Sequence, residues 1–242
     1  MRLRPLPAHM AVLFVMPALV LVAGCTAPAG SSPPVTSTSG APSPGGSNPG
    51  TVAPPPASEP PDDGVEYRVR YPFAVPSSPV SISQPFTPPI AAPPAPALPY
   101  LVGVYVGNHP EGSPPYQRIS FYFRGTFPSY RFSYVPEVVQ DGSGNPIALL
   151  GNSFLSIVFN PAQAHDNDGA PTIVETPSNP IGFTNLKSYA FAGDYEGYVS
   201  YGLGIQVAPG SDQVLKIRAG ELKRPDGAGG FFYVIHFDVQ TG

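Results

Sequence analysis

"YQRISFYFRGTFPSYRFSYV", residues Tyr116 to Val135, decides the fold class of this chain. Ile119, Phe121 and Phe123 fall on one side of an extended backbone, and Arg118, Ser120 and Tyr122 on the other. After a Gly-Thr-Phe-Pro break the alternation resumes, with Tyr130, Phe132 and Tyr134 set against Arg131 and Ser133. A period of two is the mark of half-buried strands. Gly125 permits a sharp bend between them, and Pro128 cannot continue a hydrogen-bonded ladder.

Working outward, the same signal recurs at short intervals. Leu101 to Val106, Phe154 to Phe159, Leu186 to Ala192, Gly197 to Val207 and Val214 to Ala219 read as further strands. The last strand, Phe231 to Val239, places Phe231, Tyr233, Ile235, Phe237 and Val239 on one face and His236 and Asp238 on the other. "DGSGNP" at Asp141 to Pro146 is turn chemistry, and Gly202 and Gly204 inside a strand indicate a bulge or a close backbone approach. No window carries a capped helical period. Short strands separated by glycine-rich turns predict an all-β sandwich of two packed sheets over residues 100–242. About 140 residues is an ordinary size for one such domain. The chain has no tryptophan, so Phe and Tyr must supply the bulk of the core.

The remainder of the chain has a different composition. Met1-Arg2-Leu3-Arg4, the apolar run Ala11 to Val22 and the small residues Ala23 and Gly24 describe a secretory signal peptide over 1–24. Pro17 interrupts the run, which is shorter than the about 20 residues a transmembrane helix needs. Val22-Ala23-Gly24-Cys25 resembles the bacterial lipobox, which implies lipidation at Cys25 and attachment to the outer face of the cytoplasmic membrane. Cys25 is the only cysteine, so no disulfide forms within the chain and no second thiol serves as nucleophile or zinc ligand. Residues 26–64 hold no aromatic residue and no apolar period, and read as a disordered tether. Its reach is roughly 35 Å as a coil and about 120 Å as polyproline II. Residues 65–99 open with "VEYRVRYPF", where Val65, Tyr67, Val69 and Tyr71 alternate with Glu66, Arg68 and Arg70, and continue proline-rich with Ile82, Phe86, Ile90 and Leu98. Two readings stand: an extended segment laid against the domain, or a second linker.

Charge excludes one class of partner. The formal net charge is -4, and loss of Arg2 and Arg4 with the signal peptide would make it -6. No basic stripe is present to neutralise phosphates, so nucleic acid is not an expected partner.

"YQRISFYFRGTFPSYRFSYV", then "VVQDGSGNPIALLGNSFLSIVFNPAQAHD" and "FAGDYEGYVSYGLG", taken in that order, resemble the AMIN-like domain of actinobacterial lipoproteins over about Val102 to Val239. The resemblance implies a compact pair of β-sheets. It also implies a cell-envelope binding module rather than an enzyme, since AMIN domains localise wall amidases and secretins through peptidoglycan or septal contacts. Expected partners are the membrane through the N-terminal lipid, peptidoglycan or another wall glycan, and an envelope protein. Where the family often has a Pro-Pro-Arg hairpin before its last strand, this chain has "GELKRPDGAGG", Gly220 to Gly230.

Candidate chemistry is sparse. "NPAQAHDNDGAP", Asn160 to Pro171, gathers His165, Asp166 and Asp168. It has part of the spacing of a calcium loop, with Gly169 and Glu175, but lacks one alternate ligand and both flanking helices. A His165–Asp166 dyad would belong to a hydrolase, yet no nucleophile elbow accompanies it. The plainer reading is a turn in which aspartate side chains cap backbone N–H groups and His165 bonds a neighbouring loop. No catalytic residue, metal ligand or cofactor is assigned. The candidate ligand-binding residues are His109, Arg118, Tyr130, Tyr134, His165 and Asp166. Tyr105, Tyr122, Tyr130, Tyr134, Tyr195, Tyr198 and Tyr201, with Arg118 or Arg131 nearby, supply the material for an aromatic platform on which sugar rings could stack.

Overall fold

In the computed structural model of the protein, residues 66–87, 98–210 and 214–241 are described. The segments expected to be signal peptide and tether, with Cys25 between them, fall outside these residues, as do 88–97 of the second proline-rich segment. The chain divides into units 1–51 and 52–242, and all described residues belong to the second.

Ten strands follow in order: β1 (Glu66–Ala74), β2 (Val80–Ile82), β3 (Tyr100–His109), β4 (Tyr116–Arg124), β5 (Ser129–Val135), β6 (Ser153–Asn160), β7 (Leu186–Tyr195), β8 (Tyr198–Ile205), β9 (Ile217–Pro225) and β10 (Phe231–Gln240). They form two five-stranded sheets, the first in the order β1-β9-β10-β4-β3 and the second in the order β2-β5-β6-β8-β7. Every strand pair is antiparallel. The fold is an all-β sandwich, as the alternation predicts, with no α-helix among the described residues.

The core lies between the sheets. Ile119, Phe121 and Phe123 of β4 and Ile235, Phe237 and Val239 of β10 face Phe132 of β5, Leu155, Ile157 and Phe159 of β6, and Val199, Tyr201 and Leu203 of β8. Phe121 is its hub, with ring centroids 5.0 Å from Phe159, 4.9 Å from Tyr201 and 6.2 Å from Phe237. Such tilted and edge-on pairs add to the burial of the rings themselves. Truncating Phe121 to alanine would cost about 3–5 kcal/mol.

Polar braces close the two open sides of the sandwich. On one side Glu221 of β9 is 3 % exposed and points inward beside Ile217 and Ala219. Its carboxylate accepts from Arg70 of β1 (3.0 Å), from Gln84 after β2 (2.5 Å) and from the Tyr130 hydroxyl (3.2 Å). A carboxylate so deeply placed is tolerable only because it is paired and hydrogen-bonded. The network ties β1 and the segment after β2 to both sheets, so residues 66–87 are integral to the sandwich: β1 is the edge of the first sheet and β2 of the second. On the opposite side the stretch after β6 runs along the edge of β3. Leu101 N donates to Gln163 O, Val104 N to Glu175 O, and Thr172 Oγ1 to Leu101 O.

Two expectations are corrected in detail. The alternation of "VEYRVRYPF" does not hold one face throughout, because register shifts interrupt β1 around Arg70. Tyr71 packs inward against Phe132, whereas Tyr67 stacks on His236, 5.5 Å away. The strand expected to stop at Ala219 extends to Pro225, so the glycine-rich hairpin shrinks to a tight loop around Asp226. The Asp226 carboxylate accepts from Ala228 N and Gly230 N and pairs with Arg124. These bonds, Arg124 foremost, hold its pKa down at about 2.

Candidate binding face on the second sheet

The hairpin between β7 and β8 is the starting point. Tyr195 and Tyr198 are register partners, and the two residues between them, Glu196 and Gly197, have φ of 49° and 79°. Two successive left-handed residues make the tight turn whose twist matches antiparallel strands, and Asn, Asp or Gly is the usual first residue there. The turn brings the two tyrosine rings to the surface, where they are 66 % and 45 % exposed.

From this hairpin the outer face of the second sheet can be followed strand by strand. One register row crosses all five strands: Ser81, Arg131, Val158, Ser200 and Gly193. On one side of the row the sheet is covered. The 136–152 segment lies over β8 so closely that a Cβ on Gly202 would come within 2.6 Å of Val138, and one on Gly204 within 2.0 Å of the Leu150 carbonyl. Close approach, rather than a bulge, is the reason for both glycines. The cover reaches as far as Asp141, whose side chain rests on Gly193. Beyond it the face is open.

Two adjoining depressions mark the open strip. One, of about 240 Å³, is lined by Ser81, Ser83, Ser129, Asn160, Arg131 and Tyr198, among others. The second, of about 190 Å³, is lined by Asp141, Tyr195, Glu196, Ser200, and again Arg131 and Tyr198. Val158 is the apolar floor shared by both. Arg131 stands exposed between them and forms no ion pair among the described residues. Hydroxyls, an amide, exposed phenol rings and an unpaired guanidinium on a rigid sheet suit hydrogen bonding and stacking to a polar, ring-containing ligand.

Of the other sequence candidates, His109 and Arg118 lie against the same Tyr116 ring of the first sheet, Tyr130 borders the first depression from within the sandwich, and Tyr134, His165 and Asp166 line neither depression. His109 ends β3, stacked on Tyr116 at 4.6 Å, with Nδ1 3.1 Å from Glu111. Arg118 is 2 % exposed on the outer face of the first sheet. Its Nε donates to Asp238 Oδ1 at 2.7 Å, and Arg218 reaches the other carboxylate oxygen at 2.6 Å. Burial alone would raise the Asp238 pKa, but His236, Arg118 and Arg218 together bring it below the usual carboxylate value. The Arg118 guanidinium is thus committed to a carboxylate within the fold. Tyr130 and Tyr134 point into the sandwich. Tyr130 is 3 % exposed, and Tyr134 OH donates to Leu215 O at 2.8 Å. Burial, helped for Tyr130 by the carboxylate of Glu221, pushes both phenols far above their ordinary value. Neither ring presents a face for stacking.

The His165 loop forms the plain turn. Asp166 Oδ1 accepts from Asp168 N and Ala170 N. His165 Nδ1 lies 2.5 Å from Asp194 Oδ2 in β7, which also accepts from Ala164 N. His165 therefore joins the stretch along β3 to the edge of the second sheet, completing the brace on that side. Among the described residues no three His, Cys, Asp or Glu side chains gather as a metal would require.

Asp194, Glu196 and Asp141 had no part in the candidates drawn from sequence. Glu-Gly between two tyrosines was the available signal, because a two-residue turn flanked by alternating strands fixes a hairpin and displays its flanking pair.

The domain is thus a β-sandwich with braced sides and an open strip of exposed rings, hydroxyls and an arginine without an ion-pair partner among the described residues. The AMIN-like domain family matches residues 99–220, about half of the chain, and the chain belongs to that family. The matched span ends within β9, so β1, β2 and β10 complete the sandwich from outside it. No curated protein and no solved structure matches the chain.

Proposed function

We propose that this protein is a non-catalytic cell-envelope module that contacts peptidoglycan through the open strip around Arg131, Tyr195 and Tyr198. Membership of the AMIN-like family supports an envelope role. The observation that carries the contact surface is the pair of exposed tyrosines beside an unpaired arginine, on a face otherwise covered by residues 136–152. In this reading the signal peptide exports the chain, lipid on Cys25 anchors it to the outer face of the cytoplasmic membrane, and residues 26–64 give the domain reach into the wall. The His165–Asp194 pair serves the fold rather than hydrolysis, since its hydrogen bonds run between the two side chains and to the backbone of Ala164.

The test is co-sedimentation of residues 52–242, the unit that holds both sheets and the core, with purified peptidoglycan. The wild-type unit pellets with the wall, and the double variant Tyr195→Ala/Tyr198→Ala stays in the supernatant while keeping its melting temperature. Retention no greater than that of a control protein removes the wall contact from this account.

A further inference from the structure

The open strip is divided by charge, and the division points to a ligand more specific than a neutral sugar chain. The depression beside β2 and β5 is lined by Ser81, Ser83, Ser129, Asn160 and Arg131, with no acidic side chain. The depression beside β7 brings in Asp141 and Glu196. Arg131, Val158 and Tyr198 belong to both. Neither Asp141 nor Glu196 is within ion-pair distance of Arg131. A guanidinium thus lies between a hydroxyl-lined hollow and a carboxylate-lined one, with an aliphatic and aromatic floor connecting them.

Glu196 supplies a second, independent observation. It is the only non-glycine residue with positive φ among the described residues. The left-handed region strains an L-residue, and Asn or Gly would fill this turn position with less strain. Gly197, next in the chain, shows that the hairpin does use glycine where only geometry matters. A strained residue with a charged tip at the mouth of a depression is the pattern of a position held for its side chain rather than for its backbone.

We propose that the strip recognises wall peptide bearing both a free carboxylate and a free primary amine, rather than the sugar backbone alone. The carboxylate is received by Arg131 in the geometry that a guanidinium offers to planar acids; the Ser129 hydroxyl, which accepts from Gln84 N, keeps its proton to donate, and the Asn160 amide, which gives one N–H to Gly197 O, keeps the other. The amine faces Glu196 and Asp141, and the carbon chain between the two charges lies on Val158 and Tyr198. A purely anionic polymer would meet two carboxylates at the β7 end, and a purely cationic one would meet Arg131 at the centre. Only a ligand with both charges complements the whole strip.

This inference rests on the wall-binding reading above, and the experiment separates the two. Purified peptidoglycan is used in three forms: native, with its amines acetylated, and with its carboxylates converted to methylamides. Residues 52–242 are compared with Glu196→Asn and Arg131→Gln. The expected results are retention on native wall weakened about tenfold in each variant, as for loss of one charge-assisted hydrogen bond. Glu196→Asn is then indistinguishable from wild type on acetylated wall, and Arg131→Gln on amidated wall. Glu196→Asn also melts no lower than wild type, because Asn suits the turn, so its loss of binding cannot be laid to a damaged fold. If native wall is retained but neither modification nor either variant changes the retention, peptide recognition is overturned and the contact with the wall stands. If native wall is not retained at all, both fall.

Discussion

Replacing Asp238 by asparagine tests how the first sheet tolerates a buried charge on its outer face. Asp238 has no exposed surface, and Arg118, register partner across β4, is 2 % exposed. Arg218, the partner across β9, is covered by the rings of Phe73 and Tyr116, each 4.6 Å from its guanidinium carbon. Two cations therefore converge on one carboxylate. The amide of asparagine offers one neutral oxygen in place of two charged ones and turns an N–H₂ group toward a guanidinium. Removing one partner of a buried pair costs about 3–5 kcal/mol. For a domain of this size, at about 2–4 °C per kcal/mol, the melting temperature falls by roughly 6–20 °C. The ring of Tyr116, 5.2 Å from Arg118, favours the lower part of that range. The pH profile adds a second readout. A carboxyl whose folded pKa is depressed contributes stability above its unfolded value of about 3.9 and loses it as pH falls through the folded value. Wild type therefore loses stability more steeply than Asp238→Asn below about pH 4, and the two curves approach each other in acid. Thermal unfolding followed by circular dichroism measures both. A variant melting within about 2 °C of wild type at neutral pH would refute the reasoning.

Two further outcomes follow from the packing. Gly204→Ala places a methyl group 2.0 Å from the Leu150 carbonyl and 2.5 Å from Ser188 Oγ, so the 136–152 cover must lift, at about 1–3 kcal/mol or more. Amide exchange in that segment should accelerate ahead of the core strands, and unchanged protection would contradict the close approach. Tyr134→Phe removes the donor to Leu215 O and costs about 0.5–1.5 kcal/mol at neutral pH. The buried phenol of wild type, held above its ordinary value by burial, contributes stability that declines as pH rises past the unfolded value of about 10. The variant should therefore show a shallower alkaline decline in melting temperature, and parallel curves would count against the burial.

Much of the sandwich was legible because its inner faces are regular. Ile119, Phe121 and Phe123, and Ile235, Phe237 and Val239, alternate without interruption, and each side chain on those rows reaches the core. β1 was harder to read because a local irregularity at Arg70 swaps the face of Tyr67 relative to Tyr71, and nothing in the local pattern announces it. The covered face was half legible. Gly202 and Gly204 signalled close approach, but the identity of the segment that approaches is a long-range fact. The binding strip illustrates the same limit. Arg131, Tyr195 and Tyr198 were all within the aromatic platform suggested by composition, together with Tyr130 and Tyr134, one or three residues from Arg131. Alternation along β5 assigns Tyr130 and Tyr134 to the face opposite Arg131, yet not which face is the core. That choice depends on β6 and β8 lying beside β5, which places Arg131, Val158 and Ser200 in one row. His165 drew attention because histidine beside carboxylates is rare in this chain; its partner, Asp194, comes from a strand that only the fold brings near.

We propose the open strip of the second sheet as the surface that meets the wall. Its most direct test is backbone-amide NMR of residues 52–242 titrated with soluble fragments released from peptidoglycan by a muramidase. Shifts are expected at Arg131, Val158 and Tyr195 to Ser200, with the His165 loop and the Arg118–Asp238 row unmoved. Shifts confined to the first sheet or to the His165 loop, or no shifts at any fragment concentration, would contradict it.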